Sequence, residues 1–289
     1  VSWRSPLLLA LMLLLSACGN SITPHWGNPG GASRQLAIPL AVRLAVAPPA
    51  EALLDDTAAR QLADAVAENL QAADVPAIAT LAPLPLDWKL DITAAVNGAV
   101  VQPRFVIRNA DGREQGAVET TPVPARGWSE ATPETIQAVA AQAAPRVTQM
   151  LLSVQAARAS ASTDAISAGP TRLRVLPATG APGDGNTALI ARLRNFLGNQ
   201  GYVIQDTAEG AAFAVTAAVS VVPVNPTTQR VEIQWIVSRR DGHELGRVVQ
   251  LNEIPAGSLS PFWGDVAYVA AEQAAGGVQT IIRNASTPG

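Results

Sequence analysis

Apolar residues recur along this chain in one succession of periods, and the succession occurs twice. Residues 41–46 and 172–176 are short apolar runs that stop before Pro48 and at Pro177, the pattern of brief buried strands. Each leads into a stretch with helical spacing. Leu189, Leu193, Phe196 and Leu197 fall at i, i+4, i+7 and i+8, with Asn186 as the expected cap and Gly198 and Gly201 as the stop. Leu62, Val66 and Leu70 form the matching stripe behind the cap candidates Asp55, Asp56 and Thr57. Short strands are then expected at 75–80 and 202–205, and longer alternating strands at 88–96 and 213–222.

A hairpin follows in both copies. Val231, Ile233, Trp235 and Val237 alternate with Glu232, Gln234 and Ser238, which turns one face to a core and one to water. Asp111-Gly112 and Asp241-Gly242 supply the positive φ that a tight turn requires. A last helix is expected from Thr132-Pro133 in the first copy and Ser260-Pro261 in the second, a capping hydroxyl with proline at the first helical position. Pro145 and Gly276-Gly277 predict a kink or break near the middle of these helices.

Direct self-comparison supports the duplication. Asp111-Gly112-Arg113-Glu114-Gln115-Gly116 recurs as Asp241-Gly242-His243-Glu244-Leu245-Gly246, Thr93–Val96 as Thr216–Val219, and Gln142-Ala143-Ala144 as Gln273-Ala274-Ala275. Pro124-Ala125 and Pro255-Ala256 hold the same place between hairpin and helix. The expected fold is α+β: two tandem homologous domains, each a small mixed sheet with two helices in the order β-α-β-β-β-β-α. The first spans 36–157 and the second 171–285, joined by a small-residue linker at 158–170 and followed by a tail at 286–289.

The residues before the first repeat carry different information. Arg4 precedes an apolar run from Leu7 to Leu15 and then Ser16-Ala17-Cys18, the layout of a secretory signal over 1–17, too short to span a bilayer. Residues 20–34 are rich in Gly, Pro, Ser and Asn and read as part of a tether over 18–35. Leu15-Ser16-Ala17-Cys18 resembles the bacterial lipobox, and Cys18 is the chain's only cysteine. The resemblance implies cleavage before Cys18, a diacylglycerol thioether and an N-acyl group on it, and anchoring in a membrane by several acyl chains. It also implies the periplasmic face of the outer membrane, because Gly19 stands where an inner-membrane-retaining aspartate would. A plain signal peptide with an incidental cysteine is the other reading.

The repeats also carry a resemblance. The stretches Ala211–Val222 and Arg239–Gly246, with Asp241-Gly242-His243-Glu244 at the turn, resemble the small periplasmic domains of the TolB amino-terminal part, the curli secretion lipoprotein CsgG and the synthase activator LpoB. That resemblance rests on element order and implies a binding or assembly module rather than an enzyme. It transfers no contact residue.

Composition narrows the function classes. With 48% hydrophobic and 15% charged residues the chain can build cores. A formal net charge of −3 with Lys89 as the one lysine leaves no basic field for a phosphate backbone, so no nucleic-acid partner is expected. The two histidines, His25 in the tether and His243 in a hairpin turn, build no triad or metal site, and no cofactor is expected beyond the acyl groups. Gly180–Thr187 has the layout of a phosphate-binding loop with Asn186 in the lysine's place, so Gly183, Gly185, Asn186 and Thr187 form either an anion-binding loop or a glycine-rich entry to a helix. Trp128 and Trp263, near the last helices, either close the ends of the sheets or offer a partner surface. Arg192, Arg194, Arg239 and Arg240 are expected on solvated faces.

Two function classes follow. One is a non-enzymatic adaptor presenting sheet edges or end loops to an envelope protein or to peptidoglycan. The other is an envelope hydrolase or small-ligand binder with a site between the repeats or at the Gly180–Thr187 loop. Carboxylates or hydroxyls gathered in a closed pocket would favour the second; an exposed apolar patch near Trp128 or Trp263 would favour the first.

Overall fold

A computed structural model describes residues 42–161 and 169–286, which belong to one compact unit. The signal-like segment, Cys18, the tether with His25, most of the linker and the last tail residues lie outside the described residues.

The first repeat runs β1 (Leu44–Val46), α1 (Asp56–Gln71), β2 (Ala77–Ala79), β3 (Trp88–Asn97), β4 (Val100–Arg108), β5 (Glu114–Glu119), β6 (Val123–Pro124), α2 (Ala125–Glu130) and α3 (Pro133–Ala161). The second runs β7 (Arg172–Val175), α4 (Gly185–Asn199), β8 (Val203–Gln205), β9 (Phe213–Asn225), β10 (Thr228–Arg239), β11 (Glu244–Pro255) and α5 (Gly264–Ser286). The sheets are ordered β2-β1-β3-β4-β5, with β6 also on β4, and β8-β7-β9-β10-β11. In each, the first strand pairs in parallel with its neighbours and the remaining pairings are antiparallel. Each repeat is thus a mixed sheet with helices over one face.

Burial follows the sequence periods. Leu62, Val66 and Leu70 of α1 and Val139, Ala143 and Val147 of α3 pack with Leu44, Leu90 and Phe105 of the first sheet. Leu189, Leu193 and Leu197 of α4 and Ala267, Ala274 and Val278 of α5 pack with Leu173, Val215 and Trp235 of the second. Each fully buried large aliphatic side chain contributes about 1.5–3 kcal/mol.

The duplication extends to single hydrogen bonds. Asn109 N donates to Arg113 O and Gly112 N to Asn109 O in one turn, as Arg239 N does to His243 O and Gly242 N to Arg239 O in the other. A register irregularity follows Ile107 in β4 and Val237 in β10. Ala125 N donates to Ala99 O, and Ala256 N to Thr227 O, so the two Pro-Ala pairs are equivalent. The Thr93–Val96 match is corrected by two residues: Leu90 faces Ile107 as Val215 faces Val237, which sets Ala218 against Thr93. A slip of two preserves every inward and outward position, so alternation could not reveal it.

Other expectations are corrected as well. The break expected as one alternative to a kink does not occur: α3 continues through Pro145 and α5 through Gly276-Gly277, because packing of Ala143, Ala144 and Val147 and of Ala274, Ala275 and Val278 holds both sides of each weak point. Helix α5 starts at Gly264 rather than at Pro261, and the Ser260-Pro261 peptide is cis. The linker expected from Arg158 begins later, since α3 runs to Ala161. Asp55 does cap α1, accepting from Thr57 N at 2.9 Å and Ala58 N at 2.8 Å.

Candidate functional site

The glycine-rich loop serves packing. A Cβ at Gly183 (φ +60°) would lie 2.3 Å from Pro261 O, and one at Gly185 would lie 2.3 Å from Trp263 Nε1, so both glycines admit the 259–263 segment. Asp184 Oδ1 accepts from Trp263 N at 2.8 Å, and Trp263 Nε1 donates to Pro182 O at 2.8 Å. Asn186 does not cap α4; its Oδ1 accepts from Ala181 N at 3.0 Å. The amides of Asp184, Gly185 and Thr187 are given to Pro261 O, Pro182 O and Asp184 O. Gly183, Gly185, Asn186 and Thr187 do come together, but the amides of 181, 184, 185 and 187 are spent within the protein and a carboxylate sits among them, which favours the reading as a glycine-rich entry to a helix.

The partner-surface reading of the two tryptophans is corrected. Trp128 and Trp263 are each 1% exposed. Trp128 Nε1 donates to Ala52 O at 2.8 Å, so each indole ties the end of its sheet to the loop after the first strand of its repeat. Arginines expected on solvated faces are partly enlisted: Arg194 donates to Val175 O at 3.0 Å and pairs with Asp206, and Arg240 donates to Ala211 O. Burial holds the Arg240 guanidinium below its ordinary pKa, with the Glu209 charge opposing.

Between the repeats the two hairpin turns are exchanged. The Asp111 turn of the first repeat sits on the second: Asp111 Oδ1 accepts from Ala208 N at 2.7 Å and lies 3.6 Å from Arg174 Nη2, while Arg174 also donates to Pro85 O and Ala110 O. The Asp241 turn sits on the first repeat, where a Cβ on Gly242 would lie 2.2 Å from Arg43 Nε. Arg43 in turn is forked onto buried Asp87 at 3.0 and 2.7 Å. Leu86, Ala208, Ala211 and Ala214 fill the apolar part of the seam. A cavity in the seam, beside Asp111, Arg158, Glu209 and Arg240, is about 30 Å³, room for about one water.

The outer edge of the second sheet is differently built. Among the described residues β11 pairs with β10 alone, which leaves a continuous strand of 12 residues at the edge. The corresponding edge of the first sheet is broken into β5, of 6 residues, and β6, of 2, around Thr120–Pro122. On the sheet face away from the helices, Val249 and Leu251 are 53% and 58% exposed, flanked by Arg247 and Glu253. On the helix side a groove of about 390 Å³ opens between β11 and α5, floored by Val231, Ile233 and Ile254 and walled by Val266 and Val269. Phe262, 71% exposed, stands beside buried Trp263 at the start of α5. The alternation in 244–255 was visible in the sequence; that no further strand of the described residues covers it was not. Phe262, Val266 and Val269 were missed because each fits the apolar pattern of a buried helix entry.

Among the described residues no helix is long and apolar enough to cross a membrane, and no group of three or more His, Cys, Asp or Glu could hold a metal ion.

No family model and no curated protein matches this sequence. Among solved structures, two of the PelC dodecamer from Paraburkholderia phytofirmans are similar at 12% and 13% identity and a TM-score of 0.28, covering 40% and 37% of this chain and 90% and 85% of theirs. The lipoprotein GNA1162 from Neisseria meningitidis is similar at 14% identity and a TM-score of 0.25, covering 37% of this chain and 99% of its own. At these scores the similarities carry no argument about function.

Proposed function

We propose that this chain is a lipid-anchored, non-enzymatic assembly module of the bacterial envelope, tethered through Cys18 to the periplasmic face of the outer membrane and binding a protein partner through the second repeat. The observation that carries the reading is the β11 edge, unpaired among the described residues, with exposed Val249 and Leu251 on one face and the apolar groove under Val266 and Val269 on the other. A free strand offers a row of backbone donors and acceptors to an added strand, and the groove beside it accepts an apolar side chain from that strand. Phe262, exposed beside Trp263, supplies the apolar exposure expected to favour an adaptor over a ligand binder. A site between the repeats has far less support, since the cavity there is about 30 Å³, against the ~300–1,000 Å³ of ordinary ligand pockets.

The test is site-specific photo-crosslinking in cells, with the probe placed at Val249, Leu251 or Val266 and, as a control, at exposed Leu81 of the first repeat. Discrete protein adducts at the three sites, weakened by Cys18→Ala, are expected. Adducts equally frequent at Leu81, or none at β11 in anchored protein, would overturn the reading.

A further inference from the structure

Strand β11 carries a charge and side-chain pattern that complements itself. Its outward residues on the open sheet face are, in order, Arg247, Val249, Leu251 and Glu253. If a second β11 runs antiparallel along the free edge with Gln250 opposite Gln250, Arg247 faces Glu253, Val249 faces Leu251, and the same two pairs repeat across the axis. Opposite charges and apolar pairs directly across from one another stabilise a register, while like charges oppose it. Moving the register by two in either direction removes the charge pairing from at least one end. The helix-side residues tolerate the same register, placing Val248 opposite Asn252 and Gly246 opposite Ile254. Along 246–254 the edge holds no proline and no lysine, and the register irregularity of the β10–β11 pair lies at its far end, near Ser238.

We infer that the partner on the β11 edge is a second copy of this chain, joined about a two-fold axis through Gln250 into one continuous sheet. The inference rests on the reading that β11 is a binding edge and names its occupant. A self-complementary strand is what an isologous contact requires, because each residue must meet its mate's counterpart in both directions. Strand spacing of about 4.8 Å would also bring the two α5 helices, each lying over a β10–β11 pair, to a separation on the order of 10 Å. Because Gln250 lies beside Ala270 and Gln273 and Gly277 lies beside Val248, the axis sets the Val266 end of one α5 against the stretch around Gly277 of the other. Within one chain Arg247 is paired with Glu244 at 2.7 Å and Glu253 with Arg230 at 2.9 Å. Exposed pairs of this kind contribute little, so sharing them with a second copy costs little and the charges act on register.

Two experiments on the full chain test this. In the first, differently tagged copies are co-expressed, one with Val249→Cys and one with Leu251→Cys, and oxidised. Tagged heterodimers should exceed the homodimers of either single variant at least about fivefold, because 249 and 251 are directly opposite while 249–249 and 251–251 are diagonal. In the second, the mass in detergent is measured for Arg247→Glu, Glu253→Arg and the double variant. Each single variant should weaken the dimer by about tenfold or more, and the double variant should restore it, which a folding defect would not do. Equal yields in all cysteine combinations, or no rescue in the double variant, would overturn the pairing. A monomer at every concentration that still crosslinks from Val249 to a different protein would also overturn it, while leaving the binding edge intact; absence of both contacts would remove the edge reading as well.

Discussion

Gly112 and Gly242 occupy the same place in the two hairpin turns, at φ +79° and +77°, yet they meet different surroundings. A Cβ on Gly112 finds nothing within 4 Å, whereas one on Gly242 meets the Arg43 side chain, which Asp87 holds in place. Gly112→Ala should therefore cost about 1–2 kcal/mol of stability from backbone conformation alone. Gly242→Ala should cost about 1–3 kcal/mol more, because Arg43 must move off a buried carboxylate. Urea titration of the two variants checks the difference. In the same turn, hydrogen bonding from Arg239 holds the Asp241 carboxyl below its ordinary pKa, helped by the His243 amide. A depressed carboxylate pKa contributes stability that is present at neutral pH and lost as pH falls through the folded-state value. The pair is half exposed, so the effect should stay under about 1 kcal/mol, and Asp241→Asn should flatten the acid side of the urea-midpoint profile by no more than that. The turns themselves were legible as Asp-Gly pairs between alternating runs. Their roles were not, because no local pattern ties Asp111 to Arg174 or Gly242 to Arg43, whose contacts lie between the repeats.

At the scale of elements, helix α5 sets two adjacent glycines against each other. Gly276 is exposed with open space around its missing Cβ, while a Cβ on Gly277 would lie 2.6 Å from Val248 Cγ2. Gly276→Ala should raise stability by about 0.5–1 kcal/mol through helix propensity, and Gly277→Ala should lower it, since α5 must shift from β11. Thermal unfolding of both single variants reads the opposite signs. In the first repeat Gly116 lies as close to Met150, a Cβ there falling 2.5 Å from its sulfur, so each hairpin and last helix meet through one glycine. Sequence period identified both helices and their buried stripes. It misplaced the start of α5 because Asp184 and Trp263 are committed to a loop-to-loop contact between residues about eighty positions apart, which no local pattern records, and the cap of α4 because the Asn186 side chain is turned back onto Ala181 N. The β11 edge was legible as a strand, but its openness depends on what the rest of the fold leaves uncovered.

Across the whole molecule, the seam makes the two repeats depend on one another. Arg174, with its side chain 13% exposed, reaches Asp111, Pro85 and Ala110 of the other repeat and serves as its main polar tie. The native chain should unfold in one cooperative transition despite containing two separate cores. Arg174→Met leaves Asp111 buried against an apolar side chain, and should split denaturation into two steps or lower the midpoint by about 2–4 kcal/mol equivalent. Calorimetry distinguishes the outcomes by the ratio of measured to van't Hoff enthalpy. The exchange of turns has one more consequence, for the peptide connection itself. Since each half is held by its partner's turn, continuity of the main chain across 162–168 is dispensable once folding is complete. A protease site placed there and cut in the native protein should yield two fragments that travel together until denaturant separates them.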